Sequence, residues 1–526
     1  MKRRQFLQNT IPAAVLPSLV DHFSFRVLGD NPVMAALLNT YVETDRVLVL
    51  IQLNGGNDGL NMVIPLDQYS NYYNARPNIA IPQNKVLTLN GINTVGLHSS
   101  MTGLQTMYNN GKLRLVQAVG YPNPNFSHFR ATDIWMSASD SNQQLTSGWG
   151  GRYLNDQYPN YPVGYPNTTV PDPLGIQIGS SASLAFQGPS VNMGISISSA
   201  TNFYNLINGI QDPAPATRAG DALQYVRLVA RQSNQYAARI SAAAAAVPTQ
   251  GTYPTNNTLA DQLKIVARLI KGGLKTRVYM VSMGGFDTHS AQTNTGDTVT
   301  GNHATLMQRL SDAVKAFQDD LQGMGIEDRV LGITFSEFGR RIKSNASTGT
   351  DHGAAAPLFI FGSKVNPGIT GVNPTLPATA TVNDNIPMQY DFRSVYATIL
   401  QNWFCVDHTT LETIMLQNFQ QLGLCANGNC VLTNVDDNRN AGVTLISNYP
   451  NPFTSTTTIS FTTKGGHTLV QIMDALGRVL TTPVDRNYSA GTYQINFDSY
   501  TLPAGVYYMR FQNGSTQQVK PMLKVR

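Results

Sequence analysis

A chain of 526 residues is long enough for two or three folded units with buried cores. Hydrophobic residues make up 42% and charged residues 13% of the chain, a balance that excludes a disordered protein and is typical of an exported one with a weakly charged surface. The net charge of +5 is concentrated near the two ends. The central region therefore has no basic stripe, and we exclude nucleic acid as a partner.

The first residues have the pattern of an export signal. The twin arginine Arg3-Arg4 is followed by a short apolar stretch at 11–20, which resembles a twin-arginine signal. We predict a signal over residues 1–36, with small residues near Ala35 as a candidate cleavage point; the alternative is an ordinary basic amphipathic start. Elsewhere the sequence predicts no transmembrane segment, because every other apolar stretch is too short to span a bilayer.

Three apolar runs with strand character each end in a polar turn that contains glycine. They are Val47–Leu53, Val278–Met283 and Val330–Phe335. The side chains carried by these turns, and by a fourth turn at 350–353, are Asp58, Asp287, His289, Glu337, Asp351 and His352. In an open α/β sheet the carboxyl ends of the strands line the ligand crevice, so we expect these side chains to converge.

Together these six side chains form the mixed oxygen and nitrogen ligand set expected for one or two divalent ions, whether Zn²⁺, Mn²⁺, Mg²⁺ or Ca²⁺. We therefore predict all six as metal ligands. Taken alone, Asp58, Glu337 or the nearby His128 is more often a turn former or a helix cap. The Asp287/His289 and Asp351/His352 pairs are more specific, because folding does not require them.

A predicted strand at 113–119 leads to Ser127 and His128, where a helix is expected to begin. Backbone N–H groups at a helix start hold anions, and the helix dipole favours negative charge there. We predict Ser127 as a nucleophile with His128 and Arg130 as catalytic neighbours; the alternative is that Ser127 caps the helix. The side chains predicted to clamp a phosphate or sulfate group are Arg130, Arg340 and Arg341.

The rest of this region alternates between helical and strand patterns. A helix is predicted at 259–270, opened by a capping box of Thr258 and Asp261, and His303 is predicted to cap the amphipathic helix that follows. A further buried strand is predicted at 357–362. The alternation predicts an α/β fold with a mostly parallel sheet covered by helices on both faces.

The three cysteines allow one disulfide in an oxidising compartment. Cys425 and Cys430 are separated by a tight polar loop and are the favoured pair, with Cys405 as a buried thiol, although the sequence leaves the pairing open.

From about residue 435 the composition changes to short Thr-rich segments with alternating polarity, separated by Gly and Asn turns. This pattern predicts a small antiparallel β-sandwich over residues 440–526.

The motifs of the central region resemble an exported bacterial family known as domain of unknown function 1501. They are Leu-Asn-Gly-Gly-Asn-Asp58-Gly, Ser127-His128-Phe-Arg, Gly-Gly-Phe-Asp287-Thr-His289, Ser-Glu337-Phe-Gly-Arg-Arg and Gly-Thr-Asp351-His352-Gly. The resemblance covers roughly residues 45–405 and implies a branch of the alkaline phosphatase and sulfatase superfamily, with metal ligands at strand ends and a nucleophile at a helix start.

Position by position, the resemblance implies ligand roles for Asp58, for the Asp351-His352 pair and for Asp287 with His289, and it makes Ser127 the nucleophile by its place in the order. The sequence departs from the superfamily pattern in three ways. It lacks the sulfatase signature, in which a modifiable Cys or Ser is followed by Pro and Arg, and this absence disfavours a sulfatase. The spacing between Asp287 and His289 is shorter than in alkaline phosphatases, and the region 387–403 has no clear final histidine ligand.

The last segment resembles a type IX secretion sorting domain of the Bacteroidetes kind. The matching stretches are Tyr449-Pro-Asn-Pro-Phe453, Asp474-Ala-Leu-Gly-Arg478, Leu502-Pro-Ala-Gly-Val-Tyr-Tyr-Met-Arg510 and the basic ending Lys524-Val-Arg526. The resemblance implies that residues 440–526 address the chain to the secretion machinery, and that the protein reaches the cell surface or the medium.

We predict a metal-dependent hydrolase of a phosphate or sulfate ester, with an alkaline phosphatase-like α/β domain at 45–434. The alternative is a catalytically inactive surface protein that keeps the same fold and binds glycan or a protein partner.

Overall fold

The computed structural model describes residues 45–180, 183–199, 217–426, 430, 446–449, 453–474, 477–514 and 516–525. The predicted export signal at 1–36 lies outside these residues. The described chain falls into two compact units, one that ends at Cys430 and one that comprises the residues from Ile446 onward. Within the described ranges, no helix is both long and apolar enough to cross a membrane.

The first unit contains strands and helices in alternation. Its strands are β1 (Val47–Leu53), β2 (Val63–Pro65), β3 (Leu87–Leu89), β4 (Ile92–Leu97), β5 (Leu113–Gly120), β6 (Gly175–Ile178), β7 (Gly194–Ile197), β8 (Val278–Met283), β9 (Val330–Phe335), β10 (Arg340–Ser344), β11 (Thr350–His352), β12 (Ala356–Phe361), β13 (Gly368–Thr370) and β14 (Tyr390–Asp391). Its α-helices are α1 (Gly59–Met62), α2 (Tyr69–Ala75), α3 (Thr102–Asn109), α4 (His128–Ser137), α5 (Trp149–Gln157), α6 (Arg218–Ala245), α7 (Thr258–Lys271), α8 (Asn302–Gly323), α9 (Phe392–Thr398) and α10 (His408–Met415). A π-helical turn at Ile399–Trp403 extends α9, and the short 3-10 turns are Leu66–Gln68, Gln83–Lys85, Leu184–Phe186 and Glu327–Arg329.

The central sheet has the strand order β13-β5-β12-β9-β1-β8-β6-β7, with β14 beside β5. Every residue of β1 is buried, and this central strand pairs in parallel with β8 on one side and β9 on the other. In this sheet β12 runs antiparallel to both of its neighbours, whereas the other pairings are parallel. The predicted mostly parallel sheet is confirmed.

Helices cover both faces of the sheet because alternate residues of a strand point to opposite sides. Val49 and Ile51 of β1 belong to a core cluster with residues of α3, α7 and α8. Leu48 and Leu50 belong to a second cluster with residues of α4, α5 and α9. The side chains of β1 are therefore buried on both faces, as the continuous apolar run predicts.

The start of α7 differs from its predicted capping box by one residue. Asn257, not Thr258, occupies the N-cap position with an extended backbone, and its side chain accepts a hydrogen bond from the Ala260 N–H at 3.2 Å. Thr258 is the first helical residue. Asparagine is among the best N-cap residues, since its side-chain oxygen satisfies a free N–H of the first turn.

The favoured cysteine pairing is wrong. The disulfide joins Cys405 to Cys430, with 5.2 Å between the Cα atoms, and Cys425 is the buried thiol. The backbone next to Cys425 is held on the neighbouring segment, because Asn366 N–H donates to the Leu424 carbonyl at 3.0 Å. Burial raises the pKa of Cys425 to about 12, so this thiol is unreactive.

Removing this disulfide with the double substitution Cys405→Ala/Cys430→Ala should lower the free energy of unfolding by about 3 kcal/mol, the loss expected for a closed loop of this size. The separation of the two cysteines is 25 residues. Urea unfolding of the oxidised protein and of the variant measures the difference, and reduction of the wild-type chain provides the control. Equal midpoints before and after reduction would contradict the assigned pairing.

The second unit is one antiparallel sheet. Its strands are β15 (Ser447–Tyr449), β16 (Thr456–Met473), β17 (Val479–Asp498), β18 (Gly505–Asn513) and β19 (Thr516–Lys524). The long strand β16 pairs with β15 near its start and with β18 near its end, and β17 pairs along its length. The antiparallel prediction is confirmed, and β16 continues through Gly465, which has φ +98°.

Candidate metal centre

The turns after β1, β8 and β9 meet at the carboxyl edge of the sheet, because these three strands are parallel neighbours. The turn after β1 lies directly against the turn after β8. A Cβ atom on Gly55 would lie 2.3 Å from the Asp287 backbone nitrogen, and Gly55 has φ +125°. Only glycine fits this position, which explains the glycine that follows Asn54 in the sequence.

Asp287 lies at the centre of the group that these turns assemble. Its Oδ1 accepts a hydrogen bond from an Arg340 guanidinium nitrogen at 2.7 Å and lies 3.3 Å from His289 Nε2 and 3.4 Å from His352 Nε2. Its Oδ2 lies 3.6 Å from His128 Nε2. Burial raises the pKa of Asp287, but the Arg340 hydrogen bond and the surrounding charges outweigh it and hold this pKa below the usual value.

The proton of His352 can be placed from its partners. Its Nδ1 lies 2.8 Å from the Phe126 carbonyl oxygen, and a carbonyl only accepts, so Nδ1 carries the hydrogen. Burial lowers the pKa of His352 despite the favourable bond to Phe126. The other ring nitrogen, Nε2, faces the Asp287 carboxylate at 3.4 Å, an arrangement that a ring proton or a cation between the two groups would satisfy.

His128 has the same arrangement. Its Nδ1 lies 2.8 Å from Glu337 Oε1 and donates to that buried carboxylate, which also accepts from the Gly55 N–H at 2.8 Å. Its Nε2 again faces Asp287. Metal-binding histidines commonly donate their other ring N–H to a carboxylate or a carbonyl, which fixes the tautomer and the ring orientation. Glu337 is therefore placed to orient His128.

His128, Asp287 and His352 each offer a ligand atom within 4.8 Å of the other two. We call these three residues the metal triad. His128 enters it although the sequence predicted a catalytic role for this residue, because the sequence does not show that the start of α4 faces the end of β11.

His289 and Asp351 extend the triad toward solvent. His289 Nδ1 lies 3.1 Å from Asp351 Oδ1, and the Asn345 amide donates to the same oxygen at 3.1 Å. The Asn345 hydrogen bond and, after it, the His289 contacts lower the pKa of Asp351. Both side chains are about half exposed, so these two predicted ligands lie at the rim of the triad.

Asp58 has a different environment from the other predicted ligands. It is buried, and both of its carboxylate oxygens lie 2.8 Å from the same Arg76 nitrogen. The Gln292 amide donates to Oδ2 at 2.6 Å. Its ligand role stays a prediction. Arg76 was not predicted as a partner of Asp58, because its only distinguishing feature in the sequence is the proline that follows it.

The three predicted anion-clamping arginines bind main-chain carbonyls. Arg340 is fully buried and donates to the carbonyls of Gly55 and Gly56 in the turn after β1, of Phe286 in the turn after β8 and of Thr350 in β11, so it joins these three segments. Arg341 donates to the His352 carbonyl at 2.9 Å. Arg130 donates to carbonyls of the segment 140–143. Their role toward an anion stays a prediction.

Ser127 occupies the N-cap position of α4 with an extended backbone (φ −84°, ψ 124°). Among the described residues its hydroxyl makes no capping hydrogen bond, and the residue is exposed. Ser127 therefore precedes His128 of the metal triad by one residue, and its hydroxyl makes no hydrogen bond to a backbone N–H of the described first turn of α4.

Two further histidines are buried behind the turn that carries Asp58. His303 does not cap α8, because Gly301 occupies the N-cap position; instead its Nε2 lies 3.3 Å from Asn57 Oδ1. The rings of His98 and His303 meet edge to face with centroids 5.9 Å apart. Burial lowers the pKa of His98 to about 3 and that of His303 to about 4, from an ordinary value of 6.5.

Stability should fall as pH drops from 6.5 to 5. Over this range the unfolded chain gains protons on these two imidazoles, whereas the folded chain does not. The free energy of unfolding therefore falls by up to about 1.4 kcal/mol per pH unit for each ring. Urea unfolding in EDTA across this range measures the slope. The His303→Gln variant should show a shallower slope, and an unchanged slope in that variant would contradict the assignment.

A family described as "Protein of unknown function (DUF1501)" matches residues 45–427, and a "Secretion system C-terminal sorting domain" matches residues 447–524. The first match covers most of the chain, and the protein belongs to the DUF1501 family. The sorting domain marks it for type IX secretion to the cell surface or the medium. No curated protein matches the sequence.

Among solved structures, a protein of the alkaline phosphatase superfamily from Vibrio parahaemolyticus is 11% identical with a TM-score of 0.34, over 92% of this chain and 84% of that chain. A putative sulfatase from Bacteroides fragilis is 10% identical with a TM-score of 0.30, over 89% and 92%. A Pseudoalteromonas sulfatase, PsFucS1, is 10% identical with a TM-score of 0.31, over 86% and 83%.

Proposed function

We propose that this DUF1501 protein is a metal-dependent hydrolase that acts on a phosphate or sulfate ester outside the cell. The observation that carries the proposal is the metal triad, in which the Nε2 atoms of two histidines face one carboxylate. These three potential ligands converge at the carboxyl edge of the sheet, where open α/β folds place their ligand crevice. The ester class follows from the resemblance of the motifs to the alkaline phosphatase and sulfatase superfamily.

The donor set suits a divalent ion, with His128, Asp287 and His352 as its ligands and His289 with Asp351 available at the rim for a second ion. Imidazole nitrogens with carboxylate oxygens are typical of Zn²⁺ and also accept Mn²⁺. When bound, such an ion would polarise the ester and lower the pKa of a nearby hydroxyl or water.

The chain's own groups would position the reactants. Glu337 holds His128, and the Phe126 carbonyl holds His352, so both rings keep their Nε2 atoms toward the triad. Ser127 would be the nucleophile, since it precedes His128 and its hydroxyl is not engaged in capping. We assign the chemistry to residues 45–434 and the contact with the secretion machinery to residues 440–526.

The substitution Ser127→Ala tests the nucleophile. If Ser127 attacks the ester, turnover should fall by several orders of magnitude while the melting temperature stays nearly constant. If Ser127 only helps to begin α4, stability should fall by about 1 kcal/mol or less and turnover should persist. The measurement is hydrolysis of aryl phosphate mono- and diesters and aryl sulfates with added Zn²⁺, Mn²⁺, Mg²⁺ or Ca²⁺, alongside thermal melts.

The same panel separates the two candidate functions. Absence of turnover by the wild-type chain on every ester, with metal bound, would reject the hydrolase and favour a surface protein that binds glycan or a protein partner. Ser141→Ala, on the exposed loop that follows α4, serves as a matched control and should change neither turnover nor stability.

A further inference from the structure

A second polar cavity lies at the opposite edge of the central sheet from the metal triad. It has a volume of about 480 Å³ and lies where β1, β6, β8 and β9 begin. Because a strand of this length spans on the order of 20 Å, the cavity is separate from the triad. Its charged lining residues are Asp45, Asp172, Lys275, Arg277 and Arg329.

The two carboxylates of the lining are already neutralised by hydrogen-bonded partners. Asp172 is buried and accepts from Arg239 Nε at 2.7 Å and from the Lys275 backbone N–H at 3.0 Å. Asp45 is largely exposed and pairs with Arg329 at 2.7 Å. The charged side chains that line the cavity are thus three cations and two carboxylates.

Two of the cations come from the short segment that leads into β8. Arg277 is buried at 5% exposure, and its Nε lies 3.4 Å from the Tyr158 hydroxyl. Lys275 is exposed, and within the described part of the chain its ammonium group has no hydrogen-bond or ion-pair partner among the contacts observed. A guanidinium at the base and a free ammonium at the mouth of a walled cavity attract a compact anion, because the low-dielectric walls focus the field.

We propose that this cavity is a binding site for a tetrahedral oxyanion, either free phosphate or sulfate or the same group on a small ester, and that it is distinct from the metal triad. Lys275 would contact the anion at the mouth, and Arg277 would contact it from below. The proposal stands on the cavity and its charges and does not depend on the hydrolase activity.

Isothermal titration of the full chain with inorganic phosphate, inorganic sulfate and glycerol 1-phosphate, at constant ionic strength set with sodium chloride, tests the site. Wild type should bind at least one of these anions saturably. Lys275→Gln should weaken that binding about tenfold or more, the loss expected from one charge-assisted hydrogen bond, and Lys275→Arg should restore most of it. If glycerol 1-phosphate binds more tightly, the ligand of the cavity is an esterified phosphate group. If an inorganic anion binds more tightly, the ligand is the free ion.

Two controls separate this site from the metal triad. Lys364→Gln removes a half-exposed lysine that pairs with Asp328 outside the cavity, and it should leave the affinity unchanged. In EDTA, which removes any ion held by the triad, His352→Ala should also leave the affinity unchanged. Equal affinity in Lys275→Gln and wild type, or no saturable binding by wild type, would overturn the proposal, and loss of binding only in His352→Ala would place the anion at the triad instead.

Discussion

If His352 is a metal ligand, as proposed, replacing it by glutamine should weaken the binding of Zn²⁺ or Mn²⁺ at least about hundredfold, because altering even an outer partner of a metal site costs tenfold to hundredfold. Hydrolysis should fall with it, by roughly three orders of magnitude or more. The effect should be specific to the site, because His352 lies at the end of a short edge hairpin and its ring is partly exposed. Metal content by mass spectrometry after dialysis and chelator competition measure the affinity.

The matched control is His408→Gln, which changes a histidine paired with Glu412 at the start of α10 and should alter neither affinity nor turnover. Asp287→Asn is a less clean test, because Asp287 is also the carboxylate partner of the fully buried Arg340. Unchanged metal affinity in His352→Gln, with a wild-type melting temperature, would remove this histidine from the metal triad.

Replacing Arg76 by methionine should lower the free energy of unfolding by about 3–5 kcal/mol, the cost of leaving a buried charge without its partner. Arg76 and Asp58 are 0% and 1% exposed. Burial would raise the pKa of Asp58, but Arg76 and then His303 hold it below the usual value, so the carboxylate is ionised in the folded chain. Arg76 also donates to the Ile342 and Arg341 carbonyls, so the substitution removes these hydrogen bonds as well.

Urea unfolding measures this change. The double substitution Asp58→Asn/Arg76→Met should recover part of the lost stability, because it removes the unpaired charge. Arg329→Met, which breaks a more exposed ion pair with Asp45, should cost less than about 1 kcal/mol. A loss of that small size in Arg76→Met, or no recovery in the double variant, would contradict the charge argument. Metal content of Asp58→Asn tests separately whether Asp58 is a ligand.

The fold was largely predictable because its signals are local. Continuous apolar runs at β1, β8 and β9 indicate strands buried on both faces. The turns that follow them contain the glycines and polar residues that end a strand, and parallel pairing then brings their side chains to one edge. The sorting segment was recognisable for the same reason, since its alternating strands and motifs lie within a short stretch of sequence.

The capping box and the disulfide were mispredicted because local spacing was the only guide. Asn257 and Thr258 both cap helices well, and the backbone geometry selected the first. The short loop between Cys425 and Cys430 favoured that pair, but the fold buries Cys425 and brings Cys405 to Cys430.

By itself, therefore, the sequence determined the mostly parallel sheet, the edge at which polar side chains gather, and the family and export of the chain. Only the tertiary structure decided which of those side chains face each other. His128 joined the metal triad through contacts with Glu337 and Asp287, and Asp58 was paired with Arg76. The physical reason is that ring orientation and charge pairing depend on groups supplied by segments distant in the chain, whereas strand formation depends on the residues of the strand itself.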